Sequence, residues 1–289
     1  MNGSTPEDPA DETVVDEVAN VVGEVSRSAE QPSSGRPVTD VARSALARVR
    51  QGGTAVGRQG TSLARRTPGV NRVPGVGRAP RAAGRGMRFG WRWLAHEVVV
   101  LAPRLPVRDQ AKLRAQFPGQ SPDELADSLI EGASRASAAV GATIGVWSVL
   151  PIAPAFPAEI VTETLTLVGI EIKLIAELHE VYGMRPPGDL TSRMTAYVGA
   201  WANRRGVSLT PGGVVLALGS PLARRLQRRL AARAGRSAVS LGPLLTGAAA
   251  GALLNRRETR RLGHEIRDDL RKRTPGTLGW TAGTPGWGD

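Results

Sequence analysis

The sequence predicts an all-α protein: a compact multi-helix domain with glycine-rich, closely packed helices, a disordered N-terminal leader and a disordered C-terminal tail. Three observations point there. No segment shows the convincing period-two alternation that a half-buried strand requires. Glycine and proline, 35 and 21 of 289 residues, are concentrated before Gly90 and after Arg273, which leaves a middle capable of regular structure. Within that middle, apolar residues recur at helical steps between recognisable start and stop signals.

Residues 1–88 read as the leader. Its first thirty residues are acidic, with Glu7, Asp8, Asp11, Glu12, Asp16, Glu17, Glu24 and Glu30 against Arg27 alone. From Arg36 to Arg92 the sign reverses, with thirteen arginines against Asp40. Glycine and proline interrupt this basic stretch, and its few apolar side chains do not offset the entropy of ordering it. A short helix near Val41–Arg50 is the one element expected there. Charge complementarity would let the acidic part fold back and mask the basic part.

The domain is expected over 89–273. A short helix runs from Gly90 to Leu101, before Pro103 and Pro106, and another from about Val107 to Phe117. Ser121-Pro122-Asp123-Glu124 is a capping box with proline at the first helical position, and its helix runs to about Leu150, where Pro151, Pro154 and Pro157 forbid continuation. A long helix over 158–182 stops at Gly183, and one over 190–205 stops at Gly206. Residues 211–236 turn from apolar to strongly basic. Pro243 opens a last helix to about Arg273, and residues 274–289 form the tail.

Two stretches carry no charge, Ala136–Ala158 and Ser237–Asn255, and each holds a Gly-x-x-x-Gly step: Gly141/Gly145 and Gly247/Gly251. Prolines limit their helical parts to Ala136–Leu150 and Pro243–Leu254, roughly 22 and 18 Å at 1.5 Å per residue, short of the ~30 Å of a bilayer core. Either these are closely packed core helices, or they form a hairpin that dips into one leaflet. The last helix carries a stripe of Leu244, Ala248, Gly251, Asn255, Leu262, Ile266 and Leu270, in which the Asn255 amide needs a buried partner. Its arginine-rich opposite face reads as solvated, paired with acids three or four residues away on the same helix.

No chemistry is legible. The chain has no cysteine, which excludes disulfides, thiolate metal sites and thiol nucleophiles and suits a cytoplasmic protein. Its beginning has neither a basic nor an apolar targeting region. Each of His96, His179 and His264 precedes a glutamate, yet none extends to His-Glu-x-x-His, and neighbours on a helix diverge by about 100°. No cofactor or metal site is expected. On the helix over 158–182, Glu159, Glu163, Lys173, Glu177 and Glu180 read as a polar face. Glu171 falls on the apolar side, where it either pairs with an arginine in a buried ion pair or sits in a pocket with a raised pKa.

The net charge of +12 narrows the partner to an anionic membrane surface, another protein such as a membrane protein or a second copy, or nucleic acid. Arg85, Arg88, Trp91, Arg92 and Trp93 interleave cations with indoles, and Arg224, Arg225, Arg228 and Arg229 crowd one side of a short segment. Both patterns suit an anionic headgroup layer, and equally single-stranded nucleic acid or a merely solvated face. The run from Lys173 to Gly183, ending Tyr182-Gly183, resembles a helix of EcsC-like bacterial proteins. Gly242-Pro243, Gly247, Gly251, Asn255 and Gly263 are similar to that family's glycine-rich C-terminal segment. The resemblance covers about residues 120–273. It implies a helical, membrane-associated, non-enzymatic protein linked to transporter loci, and it brings no catalytic residues.

Overall fold

The computed structural model describes residues 9–31, 36–49, 51, 96–147, 156–210, 213–216 and 243–273. Among them are eight α-helices: α1 (Pro9–Glu30), α2 (38–49), α3 (96–101), α4 (Gln110–Gln116), α5 (Pro122–Trp147), α6 (Phe156–Val181), α7 (Leu190–Arg205) and α8 (Pro243–Arg273). The local signals act as their chemistry requires. The Ser121 amide donates to Glu124 at 2.8 Å and the Glu124 amide donates back to the Ser121 hydroxyl at 3.4 Å, which closes the capping box of α5. Gly183 and Gly206 end α6 and α7 at φ of 64° and 65°, the left-handed conformation that a Cβ disfavours.

Helix α6 is the axle. From Thr164 to Val181 nearly every side chain is buried, because α1, α4, α5, α7 and α8 all pack on it. Helices α5 and α8 share the most extensive contact and run antiparallel, cross-linked by Asp123–Arg271, Asp127–Arg267 and Glu131–Arg256 pairs. Their backbones cross at Gly141 and Gly251. A Cβ built on Gly141 would lie 2.4 Å from Asn255 Nδ2 and 2.9 Å from the Gly251 carbonyl oxygen, so only glycine permits this approach. The Asn255 amide donates to the Ser137 carbonyl at 3.3 Å, the buried partner it needed. Gly145 and Gly247 lie within these two helices, but their surroundings fall outside the described residues.

Two expectations are corrected here. Residues 9–30 of the expected disordered leader are helical: α1 packs against α5 and α6, with Val18, Val21, Val22 and Val25 wholly buried. The physical reason is a valine stripe at three- and four-residue steps, which offsets the entropy that the acidic composition suggested would win. The other correction is small: Val207–Thr210 (β1) pairs antiparallel with Gly213–Leu216 (β2), a short hairpin on an otherwise helical fold. Residues 52–95, 217–242 and 274–289 lie outside the described residues, and with them the remainder of the expected leader and the tail.

Candidate functional site

Glu171 stands at the centre of a buried cluster. Arg205, the last residue of α7, approaches it with two nitrogens: Nε donates to Oε2 at 3.0 Å and Nη2 donates to Oε1. Trp201 Nε1, one turn earlier, donates to Oε2 at 2.9 Å, and the Thr259 hydroxyl of α8 donates to Oε1 at 3.1 Å. Arg205 also reaches Glu258 with Nη1 at 3.1 Å. Through this one buried carboxylate the cluster joins α6, α7 and α8.

A second buried network was not legible as such. Glu177, Lys173 and Glu180 were expected on a polar face, but all three are buried. They face elements whose positions the helix wheel does not reveal. Arg108, in the turn before α4, donates to Glu177 Oε1 and Oε2 at 2.8 and 2.7 Å and to Glu30 Oε1 at 2.8 Å. Gln116 donates to Glu30 Oε2 at 3.0 Å, and Lys173 closes the network on Glu177. Burial by itself would raise the Glu177 pKa, but the charge of Lys173 and the hydrogen bond from Arg108 outweigh it and hold the carboxyl below its usual range. Through Glu30 the network anchors the C-terminal end of α1 to α6. The signal available beforehand was a charged pair four residues apart inside an otherwise apolar helix.

The histidines occupy three different surroundings. His96 is exposed on α3. The His179 ring packs on Tyr197 with centroids 5.1 Å apart, and its Nδ1 lies 2.8 Å from the Ile175 carbonyl oxygen; burial lowers its pKa. His264 lines a shallow groove of about 340 Å³ with Asp127, Glu131, Arg260 and Arg267. Another open cleft, of about 450 Å³, lies among Asp109, Arg114, Glu180 and Arg185, where Arg185 is held by Glu180. Among the described residues no group of three or more His, Asp or Glu side chains is arranged to hold a metal ion.

The third feature is the distribution of charge along the α5–α8 pair. The arginines of α8 do not only face water or partner within their own helix, as expected. Arg256 and Arg260 reach Glu131, Arg267 reaches Asp127 and Arg271 reaches Asp123, all on α5. These pairs lie on one side of the Asn255 crossing. Beyond it, residues 136–147 and 243–254 carry no charge, and Leu253 and Leu254 are 67 % and 41 % exposed. At the boundary Arg135, Arg256 and Arg260 all turn to the single carboxylate of Glu131. Two of these guanidinium groups donate hydrogen bonds to it and, against its partial burial, hold its pKa below the usual range.

The arginine and tryptophan positions singled out for anion contact, Arg85, Arg88, Trp91, Arg92, Trp93, Arg224, Arg225, Arg228 and Arg229, lie outside the described residues. No helix among the described residues is long and apolar enough to cross a membrane. Compared with protein families, curated proteins and solved structures, the chain matches none.

Proposed function

We propose that this chain is a non-catalytic helical module that associates peripherally with an anionic membrane surface, at its cytoplasmic face, alone or beside a membrane-protein partner. One observation carries the reading. Where the α5–α8 pair turns from charged to uncharged, three guanidinium groups share one carboxylate, and Leu253 and Leu254 are exposed just beyond them. Surplus cation beside exposed apolar surface complements an anionic headgroup layer over hydrocarbon, where each arginine near the surface adds about 1 kcal/mol. The interleaved arginines and indoles of residues 85–93 add the same chemistry in sequence. The resemblance to EcsC-like proteins leads to the same expectation. In keeping with a non-catalytic role, the buried carboxylates Glu171 and Glu177 are matched by Arg205, Arg108 and Lys173.

The test is sedimentation with vesicles of mixed phosphatidylserine and phosphatidylcholine, against phosphatidylcholine alone, over a salt series. The expected result is pelleting with the anionic vesicles only, weakened steeply by salt and by replacing Arg85, Arg88 and Arg92 with Gln. Equal pelleting with both vesicles, or with neither, overturns the reading. Tighter binding to single-stranded DNA or RNA than to anionic vesicles at equal salt would favour the nucleic-acid alternative.

A further inference from the structure

The exposed side of α8 is amphipathic along its axis rather than around it. Ala249 and Leu253 are four residues apart, and Arg256, Arg257 and Arg260 each lie three or four residues from another member, so they share one broad side of the helix; all but the half-buried Arg256 are exposed. That side is apolar towards the start of the helix and cationic below Asn255. Leu253 lies roughly 4.5 Å along the axis from Arg256 and roughly 10 Å from Arg260 at 1.5 Å per residue. The headgroup region on each side of a bilayer is roughly 5–8 Å thick, the difference between a ~30 Å core and a ~40–45 Å whole, halved. Those axial separations are upper limits on depth and shrink as the helix tilts, so with Arg257 and Arg260 at phosphate level Leu253 sits between the phosphates and the first methylenes of the acyl chains.

The same geometry limits the depth. The first N–H groups of α8 have no partner within the helix, and an unsatisfied backbone group in hydrocarbon costs several kcal/mol. The helix therefore cannot plunge end-on; it must tilt, so that its N-terminal turn stays at the interface while the leucines point inward. The Gly141–Gly251 contact makes such a tilt a rigid-body matter, since it holds α5 and α8 as one unit.

We infer that Leu253 and Leu254 insert shallowly into one leaflet of an anionic phospholipid bilayer, with Arg256, Arg257 and Arg260 bound to lipid phosphates. This rests on the membrane reading above and adds the inserting residues, the depth and the pose. The chain has no cysteine, so one introduced thiol can be labelled without background. The Leu253→Cys variant of the full chain, carrying an environment-sensitive fluorophore, is mixed with anionic vesicles, with the exposed Asn20→Cys on α1 as the comparison site. The expected result is a blue shift and gain of intensity at 253 but not at 20, with stronger quenching by lipids brominated near the glycerol end than near the methyl end. Leu253→Ser with Leu254→Ser should weaken vesicle partitioning at least about tenfold, the scale of losing one buried leucine. If the protein pellets with anionic vesicles while the fluorophore at 253 is unchanged, insertion is refuted and surface association stands. If nothing pellets, both fall. A blue shift that needs no vesicles and grows with protein concentration makes this side of α8 a contact between copies of the chain and overturns the inference.

Discussion

At the scale of the residue, the decisive groups are charges that the fold has taken out of water. Glu171 and Arg205 form a buried pair, and truncating one partner leaves the other uncompensated. Arg205→Ala or Glu171→Ala should each cost about 3–5 kcal/mol in urea unfolding followed by circular dichroism, and the double variant should cost far less than their sum. That pairing was one of two alternatives legible in the sequence, because a carboxylate among leucines must find a cation. The choice of Arg205 was not legible: a helix wheel says which side a residue faces, not which neighbour stands there. Glu177 and Lys173 carry the same lesson in reverse, since they read as a polar face only because Arg108 and Glu30 are distant in sequence. His179 brings pH into the account. Burial lowers its folded-state pKa below the ordinary 6.5, so between the two values the unfolded chain binds more protons. Stability should therefore fall as pH drops from about 7.5 through the unfolded value near 6.5. His179→Gln should flatten that slope in urea midpoints measured across the range. The lowered Glu177 pKa acts in the same direction in a separate window, with its contribution lost only below the ordinary carboxylate value of 4.5.

At the scale of the element, helix ends were the best-read features. Ser121-Pro122-Asp123-Glu124, Gly183 and Gly206 each encode a boundary in local backbone chemistry, and α7 begins and ends where its signals place it. Glycine inside helices needs the neighbour to be interpreted. Gly141→Ala should destabilise the protein by about 1–3 kcal/mol, because the new methyl meets the Gly251 carbonyl and the Asn255 amide. Gly199→Ala in α7, where nothing lies within 4 Å of the built Cβ, should instead stabilise by about 0.5–1 kcal/mol through helix propensity alone. Thermal unfolding of the two variants side by side checks both. Opposite signs are the expected result for glycines that look alike in sequence.

At the scale of the whole molecule, α1 belongs to the core, and that changes how the protein can be dissected. Deleting residues 1–31 should remove the valine stripe and the Glu30 end of the Arg108 network, giving a chain without a cooperative unfolding transition. Lost vesicle binding in such a truncation would report unfolding and not the loss of a binding segment, so substitutions within the full chain are the sound probe. Of the acidic residues of α1, Glu24 and Glu17 meet Arg48 of α2 and Asp16 meets Arg104, while most of the basic stretch they were expected to mask lies outside the described residues.

What the sequence determined by itself is what local chemistry controls: an all-helical class, most helix boundaries, two uncharged glycine-bearing stretches too short to span a bilayer, and a stripe that had to be buried. Periodicity, caps and prolines act within a few residues, so they are readable along the chain. Only the tertiary structure decided that an acidic N-terminal helix is core, that Arg205 and Arg108 neutralise the buried glutamates, and that Gly141 meets Gly251. The same holds for the charges of the α5–α8 pair, which lie on one side of the Asn255 crossing with two exposed leucines beyond it. Those outcomes depend on which surfaces meet across tens of residues, and a one-dimensional pattern carries no term for that.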